Sequence, residues 1–245
     1  MFTELKPAFM MMVVMTVLTG LVYPAGVTLA AHIAFRNQAD GSFIVSNGEV
    51  VGSRLIGQGF TRPEYVHPRP SAAGSGYDAA ASAGSNLGPT SAKLMNGTTK
   101  KDDQGNDLVE FDGLKSRIVH YCLDNGIPYD SSVPLERFRN AQGNLDDVKL
   151  IKAFNDDRAT LVFTPRTPIP ADAVTASASG LDPHISPANA LTQAARVAKA
   201  RGVGVERVTE VIARHWEGRT FGIFGEPRVN VLELNLDLDR RLPMK

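Results

Sequence analysis

The chain has 245 residues, enough for one large domain or two small ones, and its 26 Lys and Arg residues balance 26 Asp and Glu residues. Because nucleic-acid-binding domains normally carry a basic excess, this balance excludes that class of partner. Cys122 is the only cysteine, so the chain forms neither an internal disulfide nor a thiolate metal cage. We predict that Cys122 is a small apolar helix residue and not a reactive thiol.

A long apolar segment near the amino terminus, residues 7–35, is the strongest physical signal. No Asp, Glu, Lys or Arg lies between Lys6 and Arg36. As a helix the segment reaches about 40 Å, more than the roughly 30 Å of hydrocarbon in a bilayer, which predicts a transmembrane span. A cleaved signal peptide is the alternative, but its apolar region runs for only about 7 to 15 residues. No convincing small-x-small cleavage site follows this segment.

Three residues interrupt the predicted span: Gly20, Pro24 and Gly26. Glycines expose the backbone, so that another helix can pack closely against it. Proline leaves a backbone carbonyl without its N–H partner, and a neighbouring helix or a local change of helix geometry supplies another donor. We therefore predict a helix that contacts a partner helix as well as lipid, although a kinked solitary anchor fits the same residues. The flanking charges, Lys6 and Arg36, do not set the orientation.

No second long apolar run follows, so residues 36–245 are expected to form one domain outside the hydrocarbon. Asn47 and Gly48 lie between two β-rich arms, residues 43–46 and 49–56, which predicts a β-hairpin. Residues 67–97 then form a connection with hardly a large apolar residue. A connection that long is usually functional or disordered.

The middle of the chain contains two predicted helices and a strand. The first helix covers residues 112–126, with Asp112 as its cap and Gly126 at its end. The second covers residues 145–155, where apolar residues recur every three positions. A short buried strand, residues 159–165, follows and is closed by proline.

The last third is predicted to contain two helices and a final strand. Ser186 followed by Pro187 indicates an N-cap and first turn, and the helix continues to Gly202. Another helix covers residues 205–217. Leucines then alternate with polar residues from 232 to 239, which predicts a half-buried strand whose Asp237 and Asp239 could line an acidic patch. Strands and helices without regular alternation indicate an α+β domain.

Motifs of nucleotide and hydrolase chemistry are absent from the sequence. No G-x-x-x-x-G-K-[ST] and no G-x-G-x-x-G occurs, and the stretch GSNLGPTS, residues 84–91, is interpreted as a turn-rich loop. No G-x-S-x-G or S-x-x-K occurs either. We therefore predict that the chain has no catalytic residues of its own.

The stretch VTASASGLDPHISPANA, residues 174–190, contains Asp182 and His184 among small residues. In an extended segment these two side chains point the same way, as metal ligands would. The other histidines have no ligand spacing to them, so we predict no metal site and expect His184 to cap or bridge backbone groups at the helix entrance. The small residues 176–180 are expected to form a surface that another chain or the loop 71–97 can approach closely.

Six stretches occur in order along the chain: NGEVVGSRLIGQGF (47–60), RPSAA (69–73), SAGSNLGPTS (82–91), VTASASGLDPHISPANA (174–190), RVAKARG (196–202) and PRVNVLELNLDLD (227–239). With the N-terminal anchor they cover both ends of the chain. Together they resemble the C subunit of the Kdp-type potassium-transporting ATPase. Ala83 and Ser91 depart from the family pattern, which usually has glycine and asparagine there. Residues 98–157 match nothing in that pattern and are interpreted as an insertion.

The resemblance implies a non-catalytic subunit of a four-part potassium pump in the bacterial inner membrane. Its implied partners are a channel-like subunit that carries potassium, a P-type subunit that hydrolyses ATP and a small membrane subunit, besides the lipid bilayer. Residues 1–6 would be a cytoplasmic tail, residues 7–35 the single membrane pass and residues 36–245 a periplasmic domain. The chain would hold no cofactor of its own, because ATP and potassium are handled by the complex.

The family is also described as a catalytic chaperone that raises the ATP affinity of the P-type subunit. Direct ATP contact conflicts with an outward-facing domain, because the bilayer separates that domain from cytosolic ATP. If a nucleotide were contacted, Gln193 and the segment 177–180 beside the helix start are the candidates, since a helix N-terminus suits an anion.

Two functions stay open. The first is an assembly subunit that docks on the channel-like partner and covers its outer pore mouth. The second is a membrane-anchored periplasmic enzyme or ligand receptor that uses the SGLDPH loop. The residues assigned to the functional face in either case come from the recognised motifs and are Arg69, Ser85, Asn86, Gly88, Ser177, Gly180, Asp182 and His184.

Overall fold

The computed structural model describes residues 4–46, 48–156 and 160–244. The chain divides into two compact units, Met1–Leu55 and Ile56–Lys245. The first unit contains the predicted span and the hairpin that follows it. The second contains all the elements from the long connection onward.

One continuous helix, Leu5–Ala34, dominates the first unit. It consists of α1 (Leu5–Val17), a π-helical turn (Leu18–Val22) and α2 (Tyr23–Ala34), and none of its residues is buried. Its length and composition are sufficient to cross a membrane, as predicted. The π-helical turn contains Gly20 and ends at Val22, two residues before Pro24, so the helix adjusts locally to the proline's missing N–H and continues.

After a short helix α3 (Arg36–Ala39), strands β1 (Phe43–Ser46) and β2 (Glu49–Ser53) pair antiparallel. The predicted hairpin is therefore confirmed, with a second arm three residues shorter than expected. Asn47, half of its turn signal, lies outside the described residues, while Gly48 has the positive φ of +84° that a tight turn requires.

The second unit mixes helices and strands, which confirms the predicted α+β content. Its helices are α4 (Ala92–Asn96), α5 (Gly113–Asn125), α6 (Asp147–Phe154), α7 (Pro187–Arg201), α8 (Val205–Arg214) and α9 (Val231–Arg241). Its strands are β3 (Thr98–Lys101), β4 (Asp107–Phe111), β5 (Tyr129–Ser131), β6 (Phe163–Pro165), β7 (His184–Ile185), β8 (Trp216–Glu217) and β9 (Arg228–Asn230). Single 3₁₀ turns cover Leu135–Phe138 and Ala171–Ala173.

Two separate hydrophobic clusters hold this unit together. The larger lies between α7, α8, α9 and the three-stranded sheet β7-β9-β8, and includes Val197, Ile212 and Leu234, each fully or almost fully buried. The smaller lies among α5, α6 and the β5-β6 pair, around Leu150 and Phe154. Most of the smaller cluster comes from residues 98–157, so the segment interpreted as an insertion supplies its own core.

Several predicted elements of this unit are confirmed. Helix α5 ends at Gly126, whose φ of +65° is the left-handed conformation of a helix C-cap, and α6 lies within the predicted 145–155. Asp112 precedes α5 but does not cap it, because its carboxylate binds Arg117 at 2.6 and 2.8 Å. The predicted strand 159–165 is shorter, Phe163–Pro165, and Ala159 lies outside the described residues. Burial raises the pKa of the Cys122 thiol to about 11, in keeping with an apolar structural role.

The predicted C-terminal strand is wrong, because residues 231–241 form helix α9. The Asn230 side chain caps it by accepting a hydrogen bond from the Glu233 N–H at 3.1 Å. The buried residues Leu234 and Leu238 are four apart and face the larger cluster. Leucines at every second position therefore include a pair four residues apart, which also fits one face of a helix. The helix-forming Leu, Glu and Arg residues of this segment favour the helix.

Among the described residues, Asp237 does not form the acidic patch that the sequence suggested. Asp237 is only 6% exposed and binds Arg240, Arg241 and His215. Burial raises the pKa of Asp237, but the hydrogen bonds from Arg241, His215 and Arg240 outweigh this and lower it to about 2. The carboxylate therefore ties α9 to the end of α8 and presents no free negative charge.

Helix α8 ends at Arg214, three residues before the predicted end. Trp216 and Glu217 instead form strand β8, which pairs with β9 opposite Val229 and Arg228. The pairing partner lies more than ten residues further along the chain, so no local pattern indicates it.

Candidate functional site

The candidate site consists of two loops that lie against each other, residues 69–88 and residues 174–184, here called the paired loops. The first belongs to the long connection 67–97, which has no regular structure before α4. The second runs from the 3₁₀ turn Ala171–Ala173 into β7 and α7. The sequence left open whether another chain or the loop 71–97 approaches the small residues 176–180. In the structure the loop 71–97 lies against them.

Glycines allow the close approach of the paired loops. Gly180 has φ of +67°, and a Cβ there would lie 2.5 Å from the Ala83 carbonyl oxygen and 2.7 Å from the Ala73 nitrogen. A Cβ on Gly84 would lie 2.8 Å from the Ala178 carbonyl oxygen. Both contacts are with backbone atoms, which cannot move aside as a flexible side chain can. Each position therefore requires glycine.

Serine hydroxyls join the two loops across this contact. Ser71 Oγ donates to the Gly180 carbonyl at 2.6 Å and accepts from the Tyr77 N–H at 2.8 Å. Ser82 Oγ donates to the Ser179 carbonyl at 3.0 Å. These hydrogen bonds satisfy backbone groups that neither loop pairs in regular structure.

Arg69 forms the main charged tie between the loops. Its guanidinium donates to Asp182 Oδ2 at 3.0 Å and to the carbonyls of Thr175 and Ala176 at 3.3 and 3.4 Å. The side chains of Arg69 and Asp182 are only 22% and 30% exposed. A half-buried pair with additional backbone acceptors is held more firmly than a surface ion pair.

His184 completes this cluster from the far side of Asp182. Its Nδ1 lies 3.4 Å from Asp182 Oδ1, and its backbone N–H donates to the same oxygen at 3.0 Å. The expectation that the two side chains point the same way is met. The expectation that the His184 side chain bridges backbone groups is not, because Ser186 caps the helix.

The environment of Asp182 keeps it ionised. Burial raises its pKa, but hydrogen bonds from the His184 side chain and N–H, together with the Arg69 charge, outweigh this and leave the pKa below its ordinary value. A carboxylate in this state is an acceptor for Arg69 and His184. It is poorly suited to donate a proton as a general acid at neutral pH.

The entrance of α7 is fastened by a second carboxylate. Ser186 Oγ accepts from the Asn189 N–H at 3.1 Å, which confirms the predicted N-cap. Asp172 accepts from the Ser186 N–H at 2.7 Å, from Ser186 Oγ at 2.8 Å and from Asn189 Nδ2 at 3.0 Å. The first turn of α7 is therefore occupied by the chain's own groups.

Gln193, the candidate for nucleotide contact, is 1% exposed and fully hydrogen-bonded. Its Oε1 accepts from the His67 N–H at 2.7 Å and from Arg196 at 2.6 Å. Its Nε2 donates to the His67 carbonyl at 3.0 Å and to Asn189 Oδ1 at 2.9 Å. Gln193 borders a groove of about 510 Å³ together with Arg69, Tyr77 and other residues. A ligand in this groove would have to displace His67 to reach the side-chain amide of Gln193.

The remaining candidate residues are exposed or half-buried. Ser85 is half-buried, whereas Asn86 and Gly88 are exposed, and Asn86 adopts φ of +53°. A Cβ on Gly88 would meet nothing within 4 Å. Ser177 is half-buried, with its hydroxyl 3.4 Å from that of Ser179. These residues form the outer surface of the paired loops.

Two sites that depart from the family pattern have a simple structural role. Ser91 caps α4, because its Oγ accepts from the Leu94 N–H at 3.2 Å. Asparagine and serine are both good N-cap residues, so either fits this position. Ala83 contributes its carbonyl oxygen, not its side chain, to the contact with Gly180.

The structure also shows residues of the site that sequence reasoning missed, chiefly Tyr77, Gly57 and Asp172. The Tyr77 hydroxyl donates to the Arg69 carbonyl, and burial and the charge of Asp182 raise its pKa. Gly57 packs so closely that a Cβ would lie 2.7 Å from the Asp182 carbonyl. Of these three residues, only Tyr77 stands out in the sequence, because it is the one Phe, Trp or Tyr residue within 67–97.

The charged side chains of the paired loops bind one another. Asp182 accepts from Arg69 at 3.0 Å, and the His184 Nδ1 lies 3.4 Å from its other oxygen. No group of three or more His, Cys, Asp or Glu residues in ranges 4–46, 48–156 and 160–244 is placed to hold a metal ion.

Comparison with known proteins identifies the family. The model of the family "K+-transporting ATPase, c chain" matches residues 5–110 and 140–240. A protein of Myxococcus xanthus named potassium-transporting ATPase KdpC subunit is 48% identical over 242 residues, which cover 98% of this chain and 90% of that protein. Proteins with the same name from Koribacter versatilis and Beijerinckia indica are 42% and 41% identical, and cover 98% and 100% of this chain and 96% and 98% of their own lengths.

The resemblance predicted from six motifs is thus confirmed over nearly the whole length. The matched ranges contain the helix Leu5–Ala34 and both paired loops, while residues 111–139 fall outside the family model. The chain belongs to the KdpC family, subunits of the potassium-transporting ATPase complex.

Proposed function

We propose that this chain is a non-catalytic accessory subunit that anchors and stabilises an ATP-driven potassium uptake pump. The observation that carries the proposal is that Asp182 is bound by both Arg69 and His184. The one constellation that resembled an active site is used to build a fixed surface. A fixed surface suits docking, because a preorganised loop loses little conformational freedom on binding.

The helix Leu5–Ala34 is proposed as the single-pass anchor in the bacterial inner membrane. Gly20 and Gly26 bare its backbone to a neighbouring helix, and Pro24 is accommodated by the π-helical turn. Residues 1–6 then form a cytoplasmic tail, and residues 36–245 lie on the periplasmic side. Potassium and ATP are handled by the other subunits in this proposal, and this chain binds no cofactor.

The outer surface of the paired loops is proposed to dock on the channel-like subunit and to cover its outer pore mouth. Ser85, Asn86, Gly88 and Ser177 are the solvent-facing residues of that surface, supported from behind by Arg69 and Gly180. The chain would assist the ATP-hydrolysing subunit by stabilising the assembly. The four hydrogen bonds of Gln193 support this indirect route over direct contact with nucleotide.

Gly88→Arg tests the docking surface with little disturbance of the fold, because Gly88 is exposed and a Cβ there would meet no heavy atom within 4 Å. A long charged side chain in the centre of the contact should lower the amount of pump that co-purifies with a tagged full-length chain at least about tenfold, as expected for obstruction of an interface core. Co-purification in mild detergent with the other subunits is the measurement.

Ala195→Arg is the matched control, since Ala195 is exposed on α7 and lines a groove to which neither of the paired loops contributes. It should leave co-purification unchanged. Equal recovery of the pump with Gly88→Arg and with Ala195→Arg would remove the paired loops from the interface. Failure of the unaltered chain to retain any other pump subunit would instead overturn the accessory role and favour a membrane-anchored enzyme or receptor.

Protease accessibility tests the proposed topology. In sealed inverted vesicles, whose outer surface is the cytoplasmic face, the unit Ile56–Lys245 should resist added protease and become digestible once detergent opens the vesicles. Right-side-out spheroplasts should show the opposite pattern. Digestion of the unit in intact inverted vesicles would place it in the cytoplasm, where contact with ATP becomes feasible.

A further inference from the structure

Residues 216–229 form a projecting hairpin, here called the aromatic arm. Its base is the pairing of β8 with β9, where Trp216 lies opposite the fully buried Val229. Two ion pairs follow along the arm: Glu217 with Arg228 at 3.0 Å and Arg219 with Glu226 at 2.7 Å. The arm is therefore rooted in the larger hydrophobic cluster and braced by cross-strand charges.

The tip of the arm, residues 220–225, is apolar and exposed. Phe221, Ile223 and Phe224 are 89%, 71% and 65% exposed. The turn is closed by hydrogen bonds between Thr220 and Phe224, from the Thr220 N–H at 2.9 Å and from the Phe224 N–H at 3.0 Å. Exposure of three large apolar side chains within four positions is unfavourable in water, and exposed apolar patches mark interaction sites.

The shape of the tip is set by its own backbone. Phe221 adopts φ of +54°, while Gly222 and Gly225 adopt +73° and +76°. A phenylalanine in the left-handed region costs on the order of 1 kcal/mol relative to the right-handed one. The closed turn holds Phe221 in that conformation and points adjacent aromatic residues outward instead of letting them fold back on the unit.

Charge favours a protein over an anionic lipid surface as the occupant of this tip. Loops that insert into anionic bilayers carry cations free to meet the headgroups. Both arginines of the arm, Arg219 and Arg228, are paired with carboxylates of the arm itself. The arm is thus neutral and preorganised, as are apolar anchors that fill a pocket on a protein partner.

We propose that the tip of the aromatic arm inserts into an apolar pocket on another protein subunit of the pump, as a second docking point besides the paired loops. This inference rests on the proposed accessory role and deepens it. Aromatic residues at the centre of such a contact typically carry much of the binding energy. The arm would supply affinity, while the polar surface of the paired loops supplies orientation.

Site-specific photocrosslinking identifies what the tip touches. A benzophenone amino acid replaces Phe221 in the full-length chain, which is irradiated in membranes that contain the whole pump. We expect one discrete crosslinked species, whose mass-spectrometric analysis identifies an apolar peptide of another subunit. Crosslinks to lipid alone, or no crosslink at all, would overturn the proposal.

Paired substitutions measure the contribution of the tip. Phe221→Ser with Phe224→Ser removes the exposed rings and should reduce co-purification of the pump about tenfold or more, as hot-spot aromatic residues do. Val162→Ser with Leu191→Ser removes apolar residues that are 59% and 42% exposed elsewhere, and should have no effect. Equal recovery with both pairs of substitutions would refute the role of the arm.

The same preparations separate failure of this inference from failure of the accessory role. If the unaltered chain retains the pump and Gly88→Arg lowers its recovery, the accessory role stands whatever the tip variants show. If the unaltered chain retains no other subunit, both proposals fail together.

Discussion

Gly180→Ala should destabilise the Ile56–Lys245 unit by about 3 kcal/mol, combining about 1 kcal/mol for the left-handed backbone with the strain of overpacking. The added Cβ would lie 2.5 Å from the Ala83 oxygen and 2.7 Å from the Ala73 nitrogen. Both are backbone atoms of the opposite loop, so the paired loops must separate. Urea unfolding of the full-length chain in detergent, followed by the fluorescence of Trp216, the one tryptophan, measures the change.

Gly202→Ala provides the control for backbone conformation. Gly202 has φ of +64°, close to the +67° of Gly180, but a Cβ there meets nothing within 4 Å. It should cost only about 1 kcal/mol. The difference between the two variants therefore isolates the contact between the loops. Equal destabilisation would show that the loops are less tightly packed than the distances indicate.

Arg201→Met should destabilise the same unit by about 3 kcal/mol, because it removes the donors of a buried hydrogen-bonded charge. The Arg201 side chain is fully buried. It donates to the carbonyls of Glu64 and Leu242 at 2.8 and 2.9 Å and to Asp239 at 2.8 Å. Methionine fills much of the volume but leaves both carbonyls without a donor.

Arg207→Met controls for loss of positive charge and gain of apolar surface. Arg207 is exposed on α8, so this substitution should change the free energy of unfolding by less than about 0.5 kcal/mol. Urea midpoints of the two variants are compared at one pH and ionic strength. A near-neutral Arg201→Met would mean that water replaces the lost donors and that the tie between α7 and the C-terminal residues is dispensable.

Helix α9 has a sequence pattern that fits two kinds of secondary structure. The alternation of Leu232, Leu234, Leu236 and Leu238 with polar residues fits a strand, yet Leu234 and Leu238 also have the spacing of a helix face. Local pattern cannot choose between these periods over a short stretch. The choice is made by the surface of α7 and α8, against which a helix buries Val231, Leu234 and Leu238.

The sequence alone was sufficient wherever the determinant is local. A run without charges predicts the helix Leu5–Ala34, Ser186 with Pro187 predicts the start of α7, and Gly126 predicts the end of α5. The ordered motifs predict the family, which the comparisons confirm. In each case the information lies within one segment, because composition, caps and turn residues act on their own neighbours.

Only the tertiary structure decided which residues the SGLDPH loop contacts. Arg69 and Asp182 are 113 positions apart, and nothing in either segment indicates their pairing. In the folded chain Asp182 accepts hydrogen bonds from Arg69 and from the His184 N–H. The aromatic arm likewise depends on tertiary structure, because the pairing of β8 with β9 forms the hairpin that leaves Phe221 exposed at its tip. Contacts between distant segments depend on how whole elements pack, and that is a property of the folded chain.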